Sequence, residues 1–236
     1  VQFNQTGNVE TVENIGTIFV NENVSAKNVE NEGKITIAEG KIFAISGTLT
    51  DNNEIGGDGT IKINGTENQN VTLTTKENIG YKNIVVEKES GDVEINNAAI
   101  IENFENSTEG TTIFNAAAII TNYTNTKGIS IFKEVSKISS YINEIGITTF
   151  EKDVEIAKLI NKDTVICNSK FTSSESIENT GTITTNGESE IQTLENSGTV
   201  EVNGSSKITT LKNATENANV KIKAATTFDL IENAGL

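Results

Sequence analysis

Apolar and polar positions follow a pattern that returns at nearly constant intervals along the chain, and it is clearest between Ile191 and Thr215. This stretch reads IQTLENSGTVEVNGSSKITTLKNAT. It contains an Ile-x-x-Leu-x-Asn segment, a Gly-Thr-Val-x-Val segment, a short polar linker, and then the first segment again. Ile191 and Leu194 recur in the next copy as Ile208 and Leu211. The chain is therefore built from repeats.

The apolar residue two positions before the recurring Asn sets the register of the repeat. In the second half of the chain these residues are separated by 19, 18, 18, 18, 17, 17 and 20 positions, and they are Phe104, Tyr123, Tyr141, Leu159, Ile177, Leu194, Leu211 and Ile231. Near the start the same register includes Val12 and Val29, and Asp51, two residues after Leu49, continues the polar column.

Each repeat predicts two or three short β-strands. Pairs such as Ile35 with Ile37 and Val200 with Val202 are separated by one residue, as in a half-buried strand. Gly, Asn and Ser separate these pieces and indicate turns. No segment shows a sustained period of about 3.6 residues, which a helix would require. The pattern therefore predicts an all-β chain.

A repeat of this length is typical of a solenoid, because one unit has too few apolar residues to bury its own face and must stack on its neighbours. The prediction is a parallel β-helix of about 13 turns of 17–20 residues each. We expect residues 1–236 to form one domain, and to be a fragment of a longer array because the chain opens on Val and ends partway through a repeat.

The register blurs between Thr50 and Ala99, where the sequence predicts irregular turns or a loop insertion. Candidate strands remain at residues 60–63, 71–73 and 92–95. This segment is where we expect a loop that contacts a partner.

The recurring Asn has two physical interpretations. Asn tolerates the left-handed backbone region better than other non-glycine residues, which suits a sharp bend between flat faces. Stacked Asn side chains can also hydrogen-bond to their copies in adjacent turns, and a buried amide without a partner would cost about 1–3 kcal/mol. We therefore predict a structural Asn ladder of Asn14, Asn31, Asn106, Asn125, Asn143, Asn161, Asn179, Asn196, Asn213 and Asn233.

A leucine-rich repeat is the main alternative architecture, since it has a similar period and also a recurring Asn. Here the Asn follows the second apolar position by two residues rather than five, and a helix-forming segment is missing. Both differences favour the β-helix.

Composition narrows the classes of partner. The chain has 33 acidic and 18 basic residues, all of the latter Lys, with a net charge of -15. A surface with this much negative charge repels phosphate backbones and anionic membranes. We therefore expect neither nucleic-acid binding nor membrane insertion of this segment. The chain has no apolar run of the roughly 18 residues that a membrane helix needs.

Candidate chemistry is sparse, and we predict no catalytic, cofactor-binding or metal-binding residues. The single cysteine, Cys167, occupies an inward position and is interpreted as a small buried hydrophobe. Residues 56–59, Gly-Gly-Asp-Gly, are interpreted as a loop, with only adventitious calcium binding at acidic turns. Outward acids such as Glu195 and Glu201 are interpreted as a solvated face rather than as the paired carboxylates of a glycosidase.

A column of Thr follows the Gly of several repeats, at Thr17, Thr182 and Thr199, with Thr164 aligned to it. Such a stripe could order water as ice-binding solenoids do, but Thr is also a common residue of exposed strands. Lys34 interrupts the column, which favours the second interpretation.

The segments Val12-Glu-Asn-Ile-Gly-Thr-Ile, Ile177-Glu-Asn-Thr-Gly-Thr-Ile and Leu194-Glu-Asn-Ser-Gly-Thr-Val resemble the passenger regions of bacterial autotransporters and large surface adhesins. The resemblance covers nearly all of the chain and implies a right-handed parallel β-helix at the bacterial cell surface or outside the cell. It implies a non-catalytic structural or adhesive stalk, whose partners would be a surface protein or glycan of a host or neighbouring cell, or other copies of itself. The family supplies no common catalytic residues.

Two other resemblances give alternative functions. Pectate-lyase-like enzymes also contain Asn ladders, but they typically rely on Arg, or on Asp with His, and this chain has neither Arg nor His. Bactofilin-like scaffolds have similar turns and build filaments end to end.

Overall fold

The computed structural model describes residues 1–74 and 80–234, and the regular structure within them is entirely β-strand. The chain folds as an all-β parallel solenoid of about 13 turns, which confirms the predicted fold class and excludes the leucine-rich repeat. Contacts between Cα atoms divide it into two compact units, Val1–Ile120 and Thr121–Leu236.

Strands of the first unit are short and separated by turns. They are β1 Gln2–Phe3, β2 Gly7–Asn14, β3 Thr17–Val20, β4 Val24–Asn31, β5 Lys34–Ile37, β6 Ile42–Ile45, β7 Leu49–Asp51, β8 Glu54–Gly56, β9 Thr60–Ile63, β10 Gln69–Thr72, β11 Tyr81–Val86, β12 Val93–Ile95 and β13 Ala99–Phe114.

The remaining strands follow a more regular alternation of long and short. They are β14 Ala118–Phe132, β15 Ser136–Asn143, β16 Ile147–Phe150, β17 Val154–Asn161, β18 Thr164–Cys167, β19 Phe171–Ser173, β20 Ser176–Asn179, β21 Thr182–Thr185, β22 Ser189–Asn196, β23 Thr199–Val202, β24 Ser206–Asn213, β25 Asn219–Ile222 and β26 Thr226–Asn233.

One turn of the second unit shows how the repeat folds. In β17 the residues Val154 and Ile156 point inward, and so do Leu159 and Asn161. Inward residues are two apart within each half of the strand but three apart across its middle, at Ile156 and Leu159. The strand therefore bends there, and the recurring Ile-x-x-Φ pair spans the bend so that both side chains reach the core. The short strand β18 follows and closes the turn with buried Val165 and Cys167.

Adjacent turns pair in parallel and in register. Ile138 pairs with Ile156, Tyr141 with Leu159, and Asn143 with Asn161, as the sequence alignment predicts. Ile191, Leu194 and Asn196 pair in the same way with Ile208, Leu211 and Asn213. Since identical positions stack, each apolar column forms a continuous core of the kind that repeat proteins require.

Aromatic residues fill the core of the second unit near its start. Phe132 stacks on Phe150 with ring centroids 4.8 Å apart, and Tyr123 meets Tyr141 edge to face at 5.0 Å. The buried phenols keep polar partners: Tyr123 Oη lies 2.6 Å from Ser130 Oγ, and Tyr141 Oη hydrogen-bonds Thr148 Oγ1. These hydroxyl pairs allow tyrosine to occupy an otherwise apolar column at little cost.

The turn after the Asn brings successive backbones into close contact. A Cβ added at Gly33 would overlap the carbonyl oxygen of Gly16 in the preceding turn, and one at Gly198 would overlap that of Gly181. Gly33 and Gly198 therefore allow the close approach of stacked turns because they lack a side chain.

The stretch from Thr50 to Ala99 contains strands at the three places where the sequence predicted them. Candidate strand 60–63 is β9, candidate 71–73 overlaps β10, and candidate 92–95 overlaps β12. These strands continue the parallel pairing: β9 lies between β6 and β11, and β12 pairs with β10 and β13. Residues 75–79, within this stretch, lie outside the described residues.

Candidate functional site

The Asn side chains form a hydrogen-bonded ladder in the core of the second unit. Nδ2 of each Asn donates to Oδ1 of the Asn in the next turn, at distances of 2.8–3.2 Å in the series Asn125, Asn143, Asn161, Asn179, Asn196 and Asn213. Asn161 shows the full arrangement: its Nδ2 also lies 3.0 Å from the carbonyl oxygens of Asp163 in its own turn and Thr182 in the next. The side-chain amide of Asn161 thus hydrogen-bonds both to the backbone of its own turn and to the backbone and the Asn side chain of the next turn.

The backbone of the ladder corrects one expectation. Asn31, Asn143 and Asn161 are the last residues of β-strands, so they have extended backbone rather than the left-handed conformation that we expected. Positive φ angles are found instead at glycines, such as Gly146 at 124°. Asn is needed here for its side-chain amide, which donates and accepts at once, and not for its backbone tolerance.

The ladder residues become more exposed toward β26, the last described strand. Asn143, Asn161 and Asn196 are fully buried, whereas Asn213 is half-buried and Asn233 is exposed. The register itself persists, since Asn213 pairs with Asn233 across β24 and β26.

The first unit has a similar ladder, in which Asp51 replaces one Asn. Asn14 Nδ2 donates to Asn31 Oδ1 at 2.7 Å, and Asn31 Nδ2 donates to Asp51 Oδ1 at 2.7 Å. Further along, Asn106 is fully buried and its Oδ1 accepts a hydrogen bond from Thr112 Oγ1 at 2.8 Å.

Asp51 is a buried carboxylate in the position that Asn occupies elsewhere. Its Oδ1 accepts from Asn31 and from the backbone N–H of Asn53, and its Oδ2 accepts from the phenol of Tyr81 at 2.6 Å. The Tyr81 oxygen in turn accepts from the N–H of Thr74 at 2.7 Å. Burial, followed by the nearby Asp51 charge, raises the pKa of Tyr81 well above its usual range. The sequence placed Asp51 in the column but contained no sign of Tyr81 as its partner.

Lys88 is a second buried charge that sequence reasoning missed. Its side chain is almost inaccessible, and Nζ donates to the carbonyl oxygen of Glu67 at 2.6 Å. Burial lowers the pKa of Lys88. The lysine therefore ties one irregular turn to the next, and nothing in the local sequence pattern distinguishes it from the outward lysines.

Cys167 lies inside the core, where the sequence placed it. Its side chain is 1% exposed, and burial raises the pKa of the thiol. A raised pKa and a closed environment both oppose reaction at sulfur.

The segment 56–59 packs as a tight turn. Gly57 has a φ of 94°, and a Cβ there would overlap the backbone of Ile37 in the preceding turn. Within residues 1–74 and 80–234, no group of three or more Cys, Asp or Glu side chains is placed to hold a metal ion.

The outward acids are paired with lysines of adjacent turns. Glu195 accepts from Lys212 at 3.3 Å, and Glu201 accepts from Lys223 at 3.2 Å. The same inter-turn arrangement joins Lys162 to Glu144 and Lys137 to Glu155. Each exposed pair contributes little, about 0–1 kcal/mol, but opposite charges in adjacent turns favour this register over others.

One outward face of the second unit differs from the rest because it carries no charge. It consists of the outward residues of the end of β14 and of β16, β18 and β21, together with Thr199 of β23. We call it the Thr/Ile face: Ile129, Ile131, Ile147, Thr149, Thr164, Ile166, Thr182, Thr184 and Thr199. Ile129, Ile147, Thr164, Thr182 and Thr199 form one column in parallel register. The second column contains Ile131, Thr149, Ile166 and Thr184, and the next residue in that column is the charged Glu201.

A row of surface amides borders the Thr/Ile face. Asn186 Nδ2 donates to Asn168 Oδ1, and Asn203 Nδ2 donates to Asn186 Oδ1, both at 2.8 Å. This outer Asn ladder follows the face across three turns. The sequence pattern contains these residues at nearly constant spacing, but their stacking was not anticipated.

A shallow open groove lies on a neighbouring side of the second unit. It has a volume of about 400 Å³ and is lined by hydroxyl, amide and charged groups, including Ser174, Glu190, Gln192, Lys207 and Thr209. Glu190 is already paired with Lys170 at 3.3 Å. Ile191 is the one apolar residue among those that line the groove, so the groove offers mainly polar contacts to a ligand.

Comparison of the chain with models of known protein families, with characterised proteins and with solved structures finds no match. No helix in the described part of the chain has the length and apolar composition to cross a lipid bilayer.

Proposed function

We propose that this chain is a non-catalytic structural and adhesive segment of a bacterial cell-surface or secreted protein, comparable with an autotransporter passenger. The observation that carries this proposal is the continuous Asn ladder of the second unit, in which every amide from Asn125 to Asn196 donates to the next turn. These core hydrogen bonds hold adjacent turns in register.

The outer surface supports the same interpretation. Exposed lysines are used in ion pairs between turns, such as Lys82 with Glu102 and Lys158 with Glu178. These contacts favour the register of adjacent turns, and they leave the Thr/Ile face as surface available to a partner.

Surface labelling of intact source cells tests the location. We expect antibodies raised against residues 1–236 to label intact cells, and external protease to remove that label. In-frame deletion of the segment from the full protein should lower adhesion to host or neighbouring cells. Labelling that requires cell lysis would contradict the proposal.

A whole-turn deletion tests the structural role. Val24 and Phe43 pair in register, so removing residues 24–42 takes out one turn and leaves the remaining turns aligned. We expect this variant to fold and to keep most of the adhesion. Removal of 24–32 alone is the control, because it breaks the register and should unfold the first unit.

A further inference from the structure

We propose that Asn203 and Asn186 are sites of spontaneous deamidation, at which the side-chain amide becomes a carboxylate without an enzyme. In each case the next residue is a glycine, Gly204 or Gly187, whose backbone nitrogen acts as the nucleophile. This reaction goes beyond the proposed function and does not depend on adhesion. Three features of the described turns support it: the position of the glycine, the lack of a partner for its N–H, and the hydrogen bonds of the outer Asn ladder.

The reaction needs only the chain and water. The glycine nitrogen attacks Cγ of the Asn, and as the new N–Cγ bond forms, the Cγ–Nδ2 bond breaks and Nδ2 leaves as ammonia with the proton of the backbone N–H. Water then opens the resulting cyclic imide. Opening at Cγ gives Asp and opening at the main-chain carbonyl gives isoaspartate, so either product adds one negative charge. Glycine favours the attack because it has no Cβ to obstruct its nitrogen.

The sequence contains three Asn-Gly pairs, which begin at Asn64, Asn186 and Asn203. No predicted residue of the core ladder is followed directly by Gly. Where the core repeat has its Gly, it comes two positions after the Asn, as in Asn179-Thr-Gly and Asn196-Ser-Gly. The repeat therefore keeps the reactive pair out of the core, and the fold distinguishes among the three that remain.

Asn64 is protected by the turn in which it lies. Gly65 is buried, and its N–H donates to Oε1 of Gln69 at 3.1 Å. Gln69 is itself buried and fixed, because its Nε2 lies 3.2 Å and 2.9 Å from the carbonyl oxygens of Ile45 and Gly47. The nucleophilic nitrogen of this pair is therefore held by a hydrogen bond and shielded from water.

The pairs at Asn186 and Asn203 are open. Both glycines are half-buried and lie outside the strands. No group among residues 1–74 and 80–234 accepts a hydrogen bond from the N–H of Gly187 or Gly204. Asn186 is exposed and Asn203 is half-buried, so water reaches both. The nitrogen is thus free to attack, and solvent is present to remove its proton and to open the ring.

The outer Asn ladder sets the order of the two reactions. Asn186 is held on both sides, since its Nδ2 donates to Asn168 and its Oδ1 accepts from Asn203, both at 2.8 Å. Asn203 is the last amide of the ladder, because the register of β23 and β25 places Lys223 beside it in the next turn. In the described turns, Asn203 therefore has one side-chain hydrogen bond to break and Asn186 has two.

Reaction at Asn203 also releases Asn186. A carboxylate accepts hydrogen bonds but cannot donate them, so the product loses its contact with Oδ1 of Asn186. The amide of Asn186 is then held on one side only and reacts next. Both new carboxylates lie at the border of the Thr/Ile face, where a row of neutral amides becomes acidic as the molecule ages.

Peptide mapping by mass spectrometry, after incubation in mildly alkaline buffer, follows all three pairs in one sample. In the folded chain we expect Asn203 to gain the carboxylate first and Asn186 second. Asn64 should react at least about fivefold more slowly than Asn203, the factor implied by breaking one buried hydrogen bond of typical strength. In urea the three pairs should react at similar rates, since the hydrogen bonds of the fold are then lost.

Two variants test the order. Asn203→Asp removes the donor to Asn186 and should speed the reaction of Asn186 about fivefold, because one hydrogen bond of typical strength is lost. Asn168→Asp is the matched control: it adds the same charge in the turn on the other side, but a carboxylate still accepts from Nδ2 of Asn186, so the rate should stay unchanged. Circular dichroism checks that both variants are folded.

Equal rates at Asn64 and Asn203 in the folded chain would overturn the inference, as would equal effects of Asn203→Asp and Asn168→Asp on Asn186. So would a folded chain in which Asn186 and Asn203 react no faster than Asn168, which is followed by Ser. None of these results would affect surface labelling or adhesion to host cells, so failure of the inference is distinct from failure of the proposed function.

Discussion

Tyr81 donates its phenolic hydrogen to Oδ2 of Asp51, which lies in an earlier turn, across a distance of 2.6 Å. Asp51 replaces the Asn of the ladder, and its second oxygen cannot donate onward as an amide would. The tyrosine supplies the missing donor, so the carboxylate remains satisfied although its side chain is fully buried.

Tyr81→Phe tests this relationship. The change leaves Asp51 Oδ2 without the phenol and the Thr74 N–H without its acceptor, so we expect a loss of about 2–4 kcal/mol in the free energy of unfolding. The double variant Tyr81→Phe with Asp51→Asn restores a neutral rung and should recover part of that loss. Urea unfolding followed by circular dichroism measures both. A double variant no more stable than the single one would refute the compensation.

Asn161→Ala tests the ladder. It removes the acceptor of Asn143 and the donor to Asn179, which leaves buried polar groups unpaired. We expect a loss of about 2–4 kcal/mol in the free energy of unfolding. Asn233→Ala is the control, since Asn233 is exposed and its removal should change the free energy by less than about 0.5 kcal/mol. Similar losses for the two variants would contradict the role of the buried amide.

Gly33→Ala tests the close approach of turns. The new methyl group would overlap the carbonyl of Gly16, and overpacking of this kind costs about 1–3 kcal/mol. Gly16→Ala changes the same repeat position in the first turn, where the added methyl meets open space. That control should be neutral or slightly stabilising. Thermal melts of the two variants give the comparison, and equal melting temperatures would argue against backbone contact.

Alkaline pH tests the buried phenols. Burial raises the pKa of Tyr81, Tyr123 and Tyr141 above their usual range, and the chain has three tyrosines in all. The unfolded chain ionises them near pH 10.0, while the folded chain keeps them protonated. Their contribution to stability is therefore fully present below that pH and falls as pH rises, by about 1.4 kcal/mol per pH unit for each phenol.

Tyrosinate absorbance and urea unfolding, both measured against pH, check this expectation. Tyr123→Phe should make the decline of stability with pH less steep by about 1.4 kcal/mol per pH unit, since one buried phenol is removed. Tyrosinate appearing in the folded protein near pH 10.0 would contradict the burial of these side chains.

The sequence predicted the repeat and its register because every turn must meet an almost identical turn. Ile191 and Leu194 were aligned with Ile208 and Leu211 by spacing alone, and these residues pair in the structure. Strand β9 was found for the same reason, although it lies where the repeat spacing is irregular. A periodic apolar pattern indicates stacking, because each apolar residue is buried against the equivalent residue of the adjacent turn.

Side-chain partners outside the repeat could not be read in this way. Tyr81 meets Asp51, and Lys88 meets the carbonyl of Glu67, through turns of unequal length. The backbone of the ladder residues was also misjudged, because an Asn at the end of a straight strand and an Asn at a left-handed bend have the same sequence signature.

By itself, the sequence determined that this chain is a stack of short parallel strands, because so short a repeat with one buried face is stable only when it is stacked on its neighbours. Only the tertiary structure decided which outward residues of different turns share a surface. Ile129 and Thr199 are distant in the chain, and they stand in one uncharged column because four successive registers align them.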